Sequence, residues 1–433
     1  MSFCQEPRST CALGGALALI NSLDRAVPII HAGPGCGSVL TFGQNLGGGY
    51  QHIGYASGSA APSSNTLEKH VVFGGEGRLR EQIQSTLELV DADLYFVVTG
   101  CTAGLIGDDA KAVVSEFASK GAQQGKVVLA ETPGFKGSTY DGYGLAFQAL
   151  VDQVTRPART KERHSVNLLG IVPAQDPYWQ GNLAEIRRLL ERIGAKIILS
   201  GDGDNLAAFQ RAAKASLNVV FSAGADLGVA EAFWERYQVP SLRFRLPIGS
   251  NTGDFLRRVA GTLELDREKT EKVIESEEKE FWKYLIKLSE AYAYILVNRE
   301  FGVVADSNYA AGLTRFLTAD LGLTPKVVIV TDDPTEDERV NVRREILELP
   351  HGLAPAVFFE SDGYNIAEAL RANRPDILIG SSSDKDTARS LQVPILTVAY
   401  PLVDRIALAT GYTGYRGGVN LVENLVSTIL SGS

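Results

Sequence analysis

The sequence predicts an α/β protein made of three Rossmann-like, doubly wound units, each built on a parallel sheet. Short apolar runs alternate with amphipathic helical segments in three successive series, and such alternation forms parallel sheets with right-handed crossovers. The chain's 433 residues exceed one ordinary core and suit three units of roughly 120–160 residues each. A polar stretch with a proline, residues 155–165, reads as a linker closing the first series. The expected domains are therefore 1–164, 165–294 and 295–433.

In the first unit, a small-residue apolar helix over 12–23 follows Cys11 directly, with Thr10 as its expected cap. Val27, Ile29 and Ile30 form a buried strand that runs into a cysteine loop, His31-Ala-Gly-Pro-Gly-Cys36-Gly-Ser38. Gly33, Gly35 and Gly37 are expected to let the backbone approach a bulky group and adopt positive φ at little steric cost. Residues 43–66, rich in Gly, Ser, Ala and Asn without an apolar period, read as a long functional loop. After 71–73 and a helix near 76–90, a second apolar run, 95–99, ends at Gly100-Cys101. Helical spacing then extends from 106 to 117, and 126–130 is a strand.

The second unit reads as strands at 166–172, 196–199 and 218–221 with helices at 182–193, 206–214 and 227–237. It closes with a long amphipathic helix over 266–294, whose expected inner stripe is Phe281, Trp282, Leu285, Ile286 and Leu288. The third unit has strands at 301–304, 327–330, 357–359, 377–380 and 395–399. Helices at 308–322, 335–348, 363–373 and 417–431 complete it. Doubly wound sheets bind ligands beyond the C-terminal ends of their strands, where Cys36 and Cys101 fall.

Composition narrows the partners. Hydrophobic residues make up 45% and charged residues 21%, as in soluble globular proteins. The net charge is −9 and no Lys/Arg block occurs, which argues against nucleic acid and anionic membrane, since both require concentrated positive charge. The N-terminus lacks a basic region followed by an apolar run, and no stretch approaches the ~18 apolar residues that span a bilayer. A cytoplasmic location is expected.

The four cysteines, Cys4, Cys11, Cys36 and Cys101, all lie in the first 101 residues. A reducing cytosol predicts no disulfide framework. Free cysteines are often small buried hydrophobes. Here, however, Cys101 stands between a strand's end and a helix's start, where the helix dipole favours a thiolate, and the Cys36 loop repeats the design. Two cysteines so placed point to metal ligands. Their spacing excludes the close Cys-x-x-Cys pairs of common zinc sites.

Other signals fail on inspection. Gly121-Ala-Gln-Gln-Gly125-Lys126 is one residue short of a phosphate loop and lacks the following Ser/Thr. Gly201-Asp-Gly203 lacks the third glycine of a dinucleotide fingerprint, and Ser165 and Ser222 lack a nucleophile-elbow context. Of the five scattered histidines, His31 either shapes the metal site or hydrogen-bonds backbone within its loop. Asp108 and Asp109 fit acid–base chemistry or dipole stabilisation at a helix start, and the second is preferred.

Cys11-Ala-Leu-Gly-Gly-Ala16, His31-Ala-Gly-Pro-Gly-Cys36 and Thr99-Gly-Cys101-Thr-Ala-Gly-Leu-Ile-Gly-Asp-Asp109 together resemble the nitrogenase component 1 superfamily. Val72-Phe73-Gly74-Gly75 and Thr132-Pro133-Gly134-Phe135-Lys136-Gly137-Ser138 match it too. Ile171-Val172-Pro173, Gly181-Asn182, Leu246-Pro247-Ile248-Gly249, Arg374-Pro375-Asp376 and Val393-Pro394-Ile395 agree in order. Tyr400-Pro401-Leu402-Val403-Asp404-Arg405 and the segment from Gly411-Tyr412 onward are similar to the β-type subunit in particular. The likeness covers nearly the whole chain.

The resemblance implies the nitrogenase component 1 fold and an α2β2 heterotetramer. It implies that Cys11, Cys36 and Cys101 hold half of an iron–sulfur P-cluster, [8Fe-7S], shared with an α-type subunit. An ATP-dependent iron–sulfur reductase, the iron protein, would send electrons through that cluster to a catalytic metallocluster. In the family, a downstream cysteine and a histidine of the α-type subunit hold the catalytic cluster. This chain has no cysteine after residue 101, so no catalytic residue is assigned to it. Gly33, Gly35, Gly37 and Gly100 would offer backbone N–H groups to cluster sulfides and tune the potential. A cubane wants four thiolate-class ligands. Either Cys4 completes a self-contained [4Fe-4S] site or a second chain supplies ligands, and sharing is preferred because Cys4 has no counterpart in the matched motifs.

One departure bears on the activity. Many molybdenum-nitrogenase β subunits carry, directly after the Thr-Pro, a serine able to ligate the oxidised P-cluster, and Gly134 stands there in this chain. That change and the short stretch before Cys11 point outside the nitrogen-fixing set, most nearly to the methylthio-alkane reductases, which cleave carbon–sulfur bonds. The alternatives are a cofactor-assembly scaffold and a protochlorophyllide-type tetrapyrrole reductase subunit with a [4Fe-4S] cluster.

Overall fold

A computed structural model describes residues 5–51, 54–55, 61–118, 125–221, 228–349 and 352–431. Its strands build three all-parallel sheets. The first contains β1 (Ala26–His31), β2 (Leu94–Thr99) and β3 (Val127–Ala130), in the order β1-β2-β3. The second contains β4 (Ser165–Leu169), β5 (Lys196–Leu199), β6 (Leu217–Phe221) and β7 (Ser241–Phe244), in the order β5-β4-β6-β7. The third contains β8 (Glu300–Ala305), β9 (Thr324–Val330), β10 (Ala356–Phe359), β11 (Ile377–Ser381) and β12 (Ile395–Ala399), in the order β10-β9-β8-β11-β12.

Helices cover both faces, so the central strands are unbroken apolar runs instead of alternating ones. All six residues of β1 and all six of β2 are buried. One apolar core joins the second and third sheets through Trp179, Phe221, Phe281, Phe316 and Tyr415. Another lies beneath the first sheet, around Leu17, Phe96, Tyr143 and Phe147. Smaller clusters close the other faces of the first and third sheets. The C-terminal helix Gly414–Ser431 packs back on helices Trp179–Ile193 and Arg267–Ile286 of the second series.

Several local expectations change. Cys36 lies in the first turn of a helix, Pro34–Gly47, and not in an open loop. Proline near a helix start has its φ preset and no N–H to lose, so the glycine-rich sequence does not prevent the helix. Gly33, Gly35 and Gly37 all keep negative or extended φ, so their expected left-handed conformation is not adopted. Thr10 does not cap the first helix, Ala12–Asn21. Cys11 is the cap residue, while Thr10 is tied by its amide and hydroxyl to the Thr139 hydroxyl, both at 2.7 Å. Residues 71–73 belong to a short helix, Glu68–Phe73. The helical stretch after Cys101 breaks at the left-handed Gly107 into Cys101–Ile106 and Ala110–Ala118.

The long helix ends at Ile286, and its buried stripe is Thr270, Val273, Ile274, Glu277 and Phe281. Phe281 packs against Phe316 and Tyr415. Trp282 is one residue further on, about 100° around the helix, and so is 40% exposed. Glu277 tolerates the stripe because Arg188 and Arg192 pair with it. Strand β7 and the helices Thr139–Gln153 and Thr252–Thr262 are further elements that the sequence reading leaves out.

Candidate metal centre

Strands β1 and β2 end in register, His31 beside Thr99, and β3 ends alongside at Ala130. Three chain segments therefore leave the first sheet at one edge. They carry Cys36 in the first turn of Pro34–Gly47, Cys101 as the first residue of Cys101–Ile106, and Gly134 in the turn after β3. First-turn amides have no intrahelical partner, and the positive end of the dipole faces them.

Cys11 reaches this edge by a different route. Helix Ala12–Asn21 precedes β1 and packs against helix Thr139–Gln153 with almost no side chain between them. A Cβ on Gly15 would meet the Thr139 carbonyl oxygen at 1.8 Å, and one on Gly142 would meet the Ala12 carbonyl oxygen at 1.7 Å. Only glycine permits this backbone contact. The Ala12 amide donates to the Gly137 carbonyl at 2.9 Å, and Cys11 pairs with Ser138 as an isolated antiparallel bridge. Thr132 fixes the other side of the turn. Its amide donates to the Thr99 hydroxyl and its own hydroxyl to the Thr99 carbonyl, each at 3.2 Å.

These contacts place two sulfurs around one point. An ideal Cβ on Gly134 would lie 3.0 Å from the Cys101 Sγ and 3.3 Å from the Cys11 Sγ. The Gly134 amide donates to the Cys101 sulfur at 3.2 Å. Cys36 shares the field of both. Burial raises its thiol pKa most, and charge on Cys11 and on Cys101 raises it further. A thiol so placed ionises readily only when a cation neutralises the group. Cys11 and Cys36 are partly buried, Cys101 is exposed, and none of the three is in a disulfide.

Among the described residues, no three His, Cys, Asp or Glu side chains close around a single metal ion. The sulfurs of Cys11 and Cys101 instead border one space, with the Cys36 thiol within their electrostatic reach, and soft thiolates select iron–sulfur clusters. The residues present fit such a group. Cys4 lies outside the described residues.

The expected glycines divide in two. A Cβ on Gly33 or Gly35 would meet nothing within 4 Å, so both border open space. Gly100 is required by packing beneath, where a Cβ would meet Ala32 Cβ at 2.6 Å, while one on Gly37 would only press on the movable Ile30 Cδ1 at 2.9 Å. Asp109 caps the following helix through the Ala112 amide at 2.8 Å, the structural role preferred for it. Asp108 instead pairs with His31, a contact across 77 positions that no local pattern announces. Val39 and Phe42 on the Cys36 helix, Leu105 on the Cys101 helix, Phe135 beside Gly134, and Phe73 at the end of the short helix packed on the Cys101 helix all stand exposed, Phe73 at 87%.

A family model for nitrogenase component 1 type oxidoreductases matches residues 11–430. The chain belongs to this family. It is a β-type oxidoreductase subunit of the nitrogenase component 1 superfamily. It is 27% identical to the nitrogenase molybdenum-iron protein beta chain of Methanococcus maripaludis, with 98% of this chain and 94% of that one covered. It is 24% identical to the beta chain of Azotobacter vinelandii, covering 98% and 84%. A chain of the solved structure "Nitrogenase Cp1 at pH 6.5" shares its fold, with a TM-score of 0.83 and 21% identity over 100% of this chain and 94% of that chain. Among the described residues no helix is long and apolar enough to cross a membrane.

Proposed function

We propose that this chain is the electron-relay subunit of a cytoplasmic nitrogenase-like reductase, and that Cys11, Cys36 and Cys101 hold its half of an [8Fe-7S] cluster shared with an α-type partner in an α2β2 assembly. The observation that carries this reading is the convergence of the Cys11 and Cys101 sulfurs on the space at Gly134, with Cys36 in their field. When bound, the cluster supplies one-electron steps between the iron protein and the partner's catalytic centre. The chain's own residues bind and shield it. Three thiolates would ligate iron, the amides of Gly33 and Gly35 at the start of the Cys36 helix would be offered to sulfide, and the apolar rim would exclude water once the partner covers it. The expected Gly37 and Gly100 amides are spent instead within the helix and on the His31 carbonyl. The domain boundaries 1–164, 165–294 and 295–433 belong to the same proposal.

The substrate class is carbon–sulfur. Cleaving a methylthio compound takes two electrons and two protons, breaks one C–S bond, and gives a hydrocarbon and a thiol. Gly134, in place of an oxygen ligand, supports a role outside nitrogen fixation.

Iron content of the co-purified complex tests the site. Cys11→Ala, Cys36→Ala and Cys101→Ala are each expected to abolish the interface cluster and weaken assembly, and unchanged iron in all three would refute the proposal. The interface iron count separates [8Fe-7S] from [4Fe-4S]. Turnover with ATP, the reductase component and a methylthio compound tests the substrate class.

A further inference from the structure

His31 is completely buried and holds both ends of the Cys101 helix. At the front, its carbonyl accepts the Gly100 amide at 2.9 Å, one residue before Cys101. At the rear, its Nε2 lies 3.0 Å from Oδ2 of Asp108, which follows the helix after the left-handed Gly107. The same histidine closes β1, the strand that leads to Cys36.

The ring's second nitrogen is engaged too. Nδ1 lies 3.0 Å from the Ser64 hydroxyl, and the segment carrying Ser64 runs beside the end of β1 through Ser64 N–H to Ile30 O at 2.8 Å and Thr66 N–H to Ala32 O at 3.0 Å. A carboxylate only accepts, so Nε2 carries the proton toward Asp108 and Nδ1 of the neutral ring accepts from Ser64. Burial keeps the ring neutral by lowering its pKa, against the opposing pull of Asp108. The second oxygen of Asp108 accepts the Gly75 amide at 2.8 Å. A Cβ on Gly75 would meet Asp108 at 2.5 Å and the His31 ring at 3.0 Å, so the space for this pair exists only because residue 75 is glycine.

We propose that His31 is a positioning residue, whose hydrogen bond to Asp108 fixes the Cys101 helix against the strand leading to Cys36 and so sets the separation of those two sulfurs and the potential of the cluster they hold. The part concerning potential rests on the cluster reading above; the clamp itself does not.

The test uses the co-expressed complex with His31→Ala, His31→Gln, Asp108→Asn and Ser64→Ala. Two readouts are taken: hydrogen exchange over residues 101–108, and the midpoint potential of the interface cluster by redox titration. His31→Ala is expected to speed exchange over 101–108 while leaving residues 12–21 unchanged, and to shift the potential. Asp108→Asn cannot accept from both His31 and Gly75, and is expected to shift the potential in the same direction. His31→Gln keeps an N–H for Asp108 and is expected to restore most of the wild-type value. If His31→Ala fails to accumulate, Ser64→Ala must show the same two changes at smaller amplitude. Faster exchange with an unchanged potential overturns the proposal, because the clamp is then only structural. A shifted potential with unchanged exchange also overturns it, because the effect is then not positional. A wild-type complex with no interface iron defeats the cluster reading alone, and exchange over 101–108 still decides the clamp.

Discussion

The Gly134 amide donates to the Cys101 sulfur at 3.2 Å, and the missing side chain of Gly134 leaves a gap that the Cys11 sulfur also borders. A side chain introduced there projects between the two sulfurs.

The first prediction follows from that gap. Gly134→Ser places a hydroxyl beside both sulfurs after they shift by a few tenths of an ångström. Oxygen ligation stabilises ferric iron, so the oxidised state of the cluster is expected to form at lower potential than in the wild type, with a changed electron paramagnetic resonance signal. Gly134→Ala is the control that adds bulk without a ligand. Identical redox titrations for the two variants would contradict the prediction.

Cys4 separates shared from self-contained ligation. Cys4→Ala is expected to leave the iron content of the complex within error of the wild type. A large loss would favour the four-cysteine alternative.

The seam between helices Ala12–Asn21 and Thr139–Gln153 has no spare volume. Gly142→Ala drives a methyl group into the Ala12 carbonyl and is expected to destabilise the fold by on the order of 3 kcal/mol. Urea unfolding followed by circular dichroism measures this, and a midpoint equal to the wild type would show that the seam relaxes freely.

A buried acid group predicts a pH dependence of stability. Asp306 and Asp332 sit just beyond the ends of β8 and β9 and are both buried. Burial, then the charge of Asp332, pushes Asp306 up to about 8, and burial raises Asp332 as well. A carboxyl whose folded pKa is raised holds its proton more tightly in the folded state. The stability it contributes is therefore present in acid and is lost as pH rises from 3.8 through about 8. Asp306→Asn is expected to flatten the fall in melting temperature across that interval. A variant with the wild-type slope would refute this.

The apolar rim gives the last prediction. Phe42→Glu and Phe73→Glu alter exposed positions, so the stability of the chain is expected to change by only about 0.5 kcal/mol. Capture of the α-type partner should fall sharply, as measured by co-purification. Undiminished capture would place the partner elsewhere.

What could be read in the sequence depended on the range of the interaction. The strands at 95–99, 327–330 and 395–399 were legible because strands buried on both faces are apolar throughout. The three cysteines were legible from the matched motifs around them. Helix Pro34–Gly47 was not, because glycine composition suggests a loop and the stabilising contacts come from elsewhere, such as Gln44 to the Gly14 carbonyl and Gly47 against Tyr400. Helix Thr139–Gln153 was hidden for a similar reason: its glycines serve a backbone contact with a helix more than a hundred residues earlier. An amphipathic pattern that counts every large apolar residue turns Trp282 inward, although Phe281 next to it already occupies the inner face. The His31–Asp108 pair could not be found from either residue's local sequence.

The exposed Cys101 also constrains how the cell must make this protein. Cys11, Cys36 and Cys101 are synthesised in the first quarter of the chain, so their thiols exist well before translation ends. Peroxide that reached the exposed Cys101 in that interval would convert it to sulfenic acid, and on the proposed cluster reading an oxidised sulfur no longer ligates iron. On the proposed cluster reading, a partner subunit and metal supplied early would shield this sulfur from oxidants.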